Sequence, residues 1–157
     1  MRILDTLTPE LIKVPLESTE KRAVINELVD LLAEHGRVHD VDTLRDVIWK
    51  REQQRSTGIG EGLAIPHGKS DCTDELAIAI GRPAEPLEFD AIDKKPVQLI
   101  FLLVSPPHRT SDHIQALGKI SRLMSQPEFR RAIYDAQTAE QVYQLLEEAE
   151  RPQPQQT

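Results

Sequence analysis

Cysteine occurs once in the 157 residues, at Cys72, so no internal disulfide can staple this chain. That usage suits a reducing compartment, and a cytoplasmic location is expected. Cys72 reads as a partly buried or surface thiol. Aromatic side chains make up only 4%. The core must therefore be aliphatic, and base stacking is a poor basis for function. No basic block exceeds two residues, and the formal net charge is −7. This argues against nucleic acid or an anionic membrane surface as principal partner and makes a basic protein partner more natural. No stretch approaches the ~18 apolar residues of a membrane span, and the N-terminus lacks a signal-peptide profile, so no membrane insertion is expected. What is present, 39% hydrophobic and 29% charged residues, is ordinary for a globular protein.

The length suits one domain, residues 1–150, burying roughly 70% of its unfolded surface. The tail 151–157, Arg-Pro-Gln-Pro-Gln-Gln-Thr, has no apolar anchor and is expected to be disordered. Val24, Leu28, Leu31 and Leu32 form a helical stripe within about Thr19–Glu34, with Ser18 or Thr19 as cap and Gly36 as stop. A second helix, about Val41–Gln53, is capped by Asp40 and buries Leu44, Val47 and Ile48. Strands are expected at Leu11–Leu16, Leu63–Ile65, Leu76–Ile80 and Val97–Val104. The last is apolar almost throughout, as in a strand covered on both faces. A helix over about Asp112–Ser125 would turn Ile114, Leu117, Ile120, Leu123 and Met124 inward. Pro127 opens a short helix to about Asp135, and Thr138 caps a final one carrying Val142, Leu145 and Leu146. Helices, then strands, then helices imply an α/β fold, a three-layer-like sandwich with a mixed sheet flanked by helices on both faces.

Three of the seven glycines fall within five residues in Ser56-Thr57-Gly58-Ile59-Gly60-Glu61-Gly62-Leu63-Ala64-Ile65-Pro66-His67-Gly68. Pro66 should stop the apolar run and deliver His67 into a turn, where Gly68 allows close backbone approach. An imidazole neutral at pH 7 is a ready nucleophile for covalent group transfer. Two features should converge on it. His113 lies at a helix start, where unpaired N–H groups favour an anion and Thr110 and Ser111 add hydroxyls. Arg51 offers a planar fork for phosphate oxygens. Together they describe a site for a phosphoryl group on nitrogen.

The segment Thr57 to Gly68 resembles the signature of the fructose/mannitol-type (type 2) enzyme IIA domains of the bacterial phosphotransferase system. Phe89-Asp90-Ala91-Ile92-Asp93, followed by Pro96-Val97, resembles their nitrogen-related regulatory branch. The similarity runs from about residue 5 to 148. It implies a mixed five-stranded sheet flanked by helices, and His67 as acceptor of phosphate from a phosphorylated HPr-like carrier. It further implies His113 as second active-site histidine and Arg51 as active-site arginine. Neither cofactor nor metal is implied. The downstream partners would be regulatory targets or, in a sugar-specific IIA, a IIB component.

Other readings compete. His67, His113 and His108 could hold a metal, although no acidic or cysteine ligand stands at familiar zinc spacing. The fold could instead serve purely as a docking module. Arg51 could be a salt-bridge partner of Glu52 or a nearby acid. His108 reads as a solvated loop residue, and His35 and His39 flank the first interhelix turn without evident chemistry.

Overall fold

In the computed structural model, residues 2–151 are described. The segment 152–157, most of the tail expected to be disordered, lies outside them. Two 3-10 turns, Ile3–Asp5 and Pro9–Leu11, lead into β1 (Ile12–Leu16). Then follow α1 (Lys21–Glu34), α2 (Val41–Gln54), β2 (Gly58–Gly60), β3 (Leu63–Ala64) and β4 (His67–Lys69). β5 (Ala77–Pro83), β6 (Leu99–Ser105), α3 (Thr110–Met124), α4 (Pro127–Tyr134) and α5 (Ala139–Glu150) complete the chain.

The sheet runs β1-β5-β6-β3-β2, with β4 also paired to β6. β1 is parallel to β5, β5 antiparallel to β6, β3 and β4 parallel to β6, and β2 antiparallel to β3. The sheet is therefore mixed, as expected. All seven residues of β6 are buried, which requires cover on both faces. On one side α1 and α2 pack on each other and on β5 and β4; α3, α4 and α5 form a second connected group reaching β6 and β1.

The six strands reduce to five in a simple way. Leu63 pairs with Leu99, Ala64 with Ile100 and His67 with Leu103, an unchanged offset. β3 and β4 are thus one strand interrupted at Ile65-Pro66. Proline cannot donate to the ladder, but the Pro66 carbonyl still accepts from the Leu103 N–H at 3.0 Å. The expected strand end and turn at Pro66 are corrected accordingly: the strand resumes, and His67 is its first residue after the break.

Three further expectations need correction. Neither Ser18 nor Thr19 caps α1, which starts at Lys21 with Glu20 at the cap position. The Glu27 carboxylate takes the Glu17 and Ser18 N–H groups, both at 2.9 Å, and holds that segment outside the helix. Asp40 does stand before α2, but in a left-handed conformation and without a side-chain capping bond. In α3 one of the five residues expected inward departs. Ile114 is 62% exposed, whereas His113, Ala116, Ile120, Leu123 and Met124 face inward. Thr138 does cap α5, accepting from the Gln141 N–H at 3.1 Å.

A buried carboxylate ties the chain's beginning to its last helix. Glu150 accepts from the N–H groups of Ile3 (2.7 Å) and Leu4 (3.0 Å), with the Lys119 ammonium 3.6 Å away. Glu150→Ala would leave two backbone donors and an ammonium without their acceptor. An expected loss of about 2–3 kcal/mol follows, measurable by urea unfolding.

Candidate functional site

His67 sits where the interrupted strand resumes. The Ile65 carbonyl is turned away from the ladder at the break and lies 2.8 Å from His67 Nδ1. A carbonyl oxygen only accepts, so Nδ1 carries the proton and Nε2 keeps its lone pair. Burial holds the His67 pKa below the usual imidazole value. Arg51 and Lys69 act in the same direction, while the Ile65 bond and Glu52 oppose them. The ring is half-buried and neutral near pH 7, a nucleophile with one free nitrogen.

His113 lies edge-on to it, with ring centroids 5.3 Å apart and planes at 68°. It projects from the first turn of α3, and its Nδ1 is 2.6 Å from Ser105 Oγ at the end of β6. Burial, reinforced by His67 and Lys69, pushes its pKa down to about 4. Both rings are thus uncharged at neutral pH.

Arg51 belongs to the same place. It lies in the last turn of α2 and lines a cavity of about 340 Å³ with His67, Arg55, Ser56, Thr57 and Ile65. Its guanidinium donates to the Arg55 carbonyl at 3.1 Å. Among the described residues no carboxylate lies within ion-pair distance of Arg51, so a pairing with Glu52 is not what holds it. The cavity wall holds two guanidinium groups and no acid. The lining of this cavity is thus basic although the whole chain carries a net charge of −7.

Thr110 and Ser111 are not brought to the cavity. The Thr110 hydroxyl bonds the Pro107 carbonyl at 3.3 Å, and Ser111 Oγ accepts from Gln115 at 3.1 Å. Gly68 serves a packing purpose: a Cβ there would stand 3.1 Å from Val47 and 3.2 Å from Ile48, so its absence lets β4 approach α2. His108 is exposed and does not line the cavity. Among the described residues, no three His, Cys, Asp or Glu side chains gather as a metal site would need.

Glu52, read from sequence only as a possible partner of Arg51, is instead buried behind His67. It is 3% exposed and accepts from the Thr57 N–H (2.9 Å) and hydroxyl (2.6 Å), with Lys21 Nζ at 3.0 Å. Thr57 in turn offers its carbonyl to the Ile65 N–H at 3.1 Å. A chain of bonds runs from Glu52 through Thr57 and Ile65 to His67. The signal was available, since Leu44, Ile48 and Glu52 stand on one helical stripe at four-residue spacing. The second motif backs this arrangement. The Phe89 carbonyl accepts from Ser56 Oγ at 2.9 Å and the Ile92 N–H donates to the Gly58 carbonyl at 2.9 Å. Ala91 lies so close to Gly58 that any side chain there would collide, at 2.8 Å.

Comparison with known proteins identifies the family. Residues 5–149 match the family described as phosphoenolpyruvate-dependent sugar phosphotransferase system, EIIA 2. The fructose-specific EIIA component of Haloferax volcanii is 36% identical over 146 residues, 92% of this chain and 95% of that protein. The fructose-specific EIIABC component of Bacillus subtilis is 33% identical over 151 residues, 96% of this chain, which spans only 24% of that protein's length. The crystal structure of nitrogen regulatory protein IIA-Ntr from Neisseria meningitidis superposes with a TM-score of 0.83 at 33% identity, covering 90% of this chain and 97% of that one. By sequence and by fold, this chain belongs to the EIIA 2 family of the phosphoenolpyruvate-dependent sugar phosphotransferase system.

Proposed function

We propose that the protein is a phosphoryl carrier that accepts phosphate on His67 Nε2 from the phosphohistidine of an HPr-like protein. The observation that carries this reading is the pair of neutral imidazoles in edge contact beside Arg51, one with its Nδ1 proton held by a backbone carbonyl. In the transfer, the donor's N–P bond breaks as the bond to Nε2 forms. The donor ring, protonated on its second nitrogen and so formally cationic while it carries the phosphoryl group, leaves as a neutral imidazole, and the His67 ring, still protonated at Nδ1, becomes formally cationic in its place. The Ile65 carbonyl, already bonded to that proton, stabilises the charge as it develops. The equatorial phosphoryl oxygens carry the negative charge of a loose transition state, which Arg51 and an N–H of His113 offset. Exchange between two histidines of similar phosphoryl-transfer potential needs no metal.

Protein partners fit the cavity rim. Ile59 and Ile92, 49% and 54% exposed, stand at the mouth beside Leu117. Exposed isoleucines around a reactive group suit a protein surface that docks and leaves.

We further propose that the role is mainly regulatory, of the nitrogen-related kind, since the Phe89–Asp93 motif is built into the site's backing. Passing phosphate to a IIB component is the second reading, favoured by the near full-length fructose-specific relative. Incubation with a phosphorylated HPr-type carrier should add one acid-labile phosphate per chain, mapped to His67 and absent in His67→Ala. No uptake by the unsubstituted chain would overturn the carrier reading. Rapid onward transfer to a fructose-type IIB would favour the sugar role. A partner captured by only one phosphorylation state would favour the regulatory one. Arg51→Ala should slow uptake about tenfold to a hundredfold with unchanged thermal stability; normal stopped-flow rates would remove Arg51 from the chemistry.

A further inference from the structure

We infer that Ser105 is a positioning residue: its hydroxyl donates to His113 Nδ1, fixes that ring as the Nε2–H tautomer, and so makes His113 a hydrogen-bond donor beside His67. The inference rests on the carrier reading only for what the donor acts upon; the tautomer itself follows from local geometry.

Ser105 closes β6, and its backbone is held there. It pairs with Lys69 in the sheet, and its carbonyl accepts from the Ser70 N–H at 2.9 Å. The side chain therefore has little freedom to turn elsewhere. Ser105 is 0% exposed and His113 4% exposed. Among the described residues the one hydrogen-bond partner of Ser105 Oγ is His113 Nδ1, at 2.6 Å.

A serine hydroxyl has a single proton, and here it has a single acceptor. Were Nδ1 to carry the ring proton and donate instead, the hydroxyl proton would be buried with nowhere to go, a cost of about 1–3 kcal/mol. Donation from Ser105 avoids that cost. With Nδ1 accepting and the ring neutral, the remaining proton must sit on Nε2. Burial favours this uncharged state, since the pKa of His113 is about 4.

The neighbouring ring has the opposite assignment. His67 donates through Nδ1 to the Ile65 carbonyl at 2.8 Å and leaves Nε2 bare. Two imidazoles in edge contact thus hold complementary tautomers, one set by Ile65 at the break of the interrupted strand and the other by Ser105 at the end of β6. His67 presents a lone pair and His113 an N–H. Transfer onto His67 requires both, because an unprotonated His113 Nε2 would face phosphoryl oxygens with its own lone pair.

Nitrogen-15 NMR of the full chain at pH 7, reading the histidine ring correlations, tests the assignment directly. The unsubstituted protein should show Nε2–H for His113 and Nδ1–H for His67. In Ser105→Ala, His113 should populate both tautomers, His67 should be unchanged, and phosphate uptake from a phosphorylated HPr-type carrier should slow about tenfold. Ser105→Thr, which keeps the hydroxyl, should restore tautomer and rate. A His113 protonated at Nδ1 in the unsubstituted chain overturns the inference, whether or not any variant folds. So does an alanine variant with the His113 tautomer and rate unaltered. If the expected tautomers are found but no phosphate is taken up, the carrier reading fails and the hold of Ser105 on His113 stands.

Discussion

Glu52→Ala is expected to destabilise the protein by about 3–5 kcal/mol, the loss typical of breaking a buried ion pair from one side. The carboxylate has three partners. Its removal strands the Thr57 N–H and hydroxyl and leaves the Lys21 ammonium with Asp90, at 3.8 Å, and the face of Phe89, 4.8 Å from the ring centroid. Asp90 is largely solvated, and such a pair contributes little. Glu52→Gln should be milder, since one amide oxygen can still accept from Thr57. Urea unfolding measures both variants. A loss under about 1 kcal/mol for alanine would mean that water replaces the carboxylate without difficulty. The substitution should also slow phosphate uptake in protein that remains folded, because Thr57 holds the Ile65 N–H and the Ile65 carbonyl holds His67.

Acidification from pH 7 to 5 is expected to lower stability by about 2 kcal/mol through His113 alone. Its pKa falls from 6.5 to about 4 on folding, so between those values the unfolded chain binds a proton that the folded one refuses. The stabilising contribution is complete above 6.5 and drains away as pH drops toward 4. His67, shifted in the same direction, adds to the slope. Glu27 does not confuse this window. Burial pulls Glu27 upward, but bonds from Glu17, Lys13 and Ser18 leave it below its ordinary 4.5, so its contribution disappears only at lower pH. Chemical denaturation at a series of pH values should therefore show a slope between 6.5 and 4.5 that flattens in His113→Gln. An unchanged slope in that variant would place the proton linkage elsewhere. The same depression keeps His67 nucleophilic in mild acid, so uptake should fall off at a pH below the 6.5 of a free imidazole.

Much of this architecture was legible in the chain. The apolar run ending at Val104, the Leu and Ile stripes of α1 and α2, and the Thr138 cap each reflect one local rule acting alone. The glycine-to-His67 segment marked the wall of the cavity that Thr57, Ile59, Ile65 and His67 line. Errors arose where a tertiary partner overrode a local rule. Pro66 looked like a strand end because it lacks an N–H, yet its carbonyl serves β6. Ser18 looked like a cap, but Glu27, farther along the same helix, claims its N–H. Ile114 looked like core because it is apolar, whereas the inward face of α3 is occupied by a polar residue, His113, held by Ser105. Glu52 was passed over because a charged residue suggests surface, although its spacing from Leu44 and Ile48 placed it inside. Thr110 and Ser111 were assigned to the anion on the strength of their hydroxyls, which bond locally instead.

The constant offset between β6 and the two halves of the broken strand has a consequence for signalling. His67 is anchored in the sheet opposite Leu103, so a phosphoryl group on it, as proposed, could not slide the strand without unzipping its neighbour. The scaffold should look alike before and after the proposed transfer, and what differs is the local electrostatic potential, since a phosphoryl group of up to about two negative charges would sit on a ring that is itself formally cationic. A reader of that state must bring its own cationic or donor group to the contact, since no hinge or loop swing will announce the change from afar.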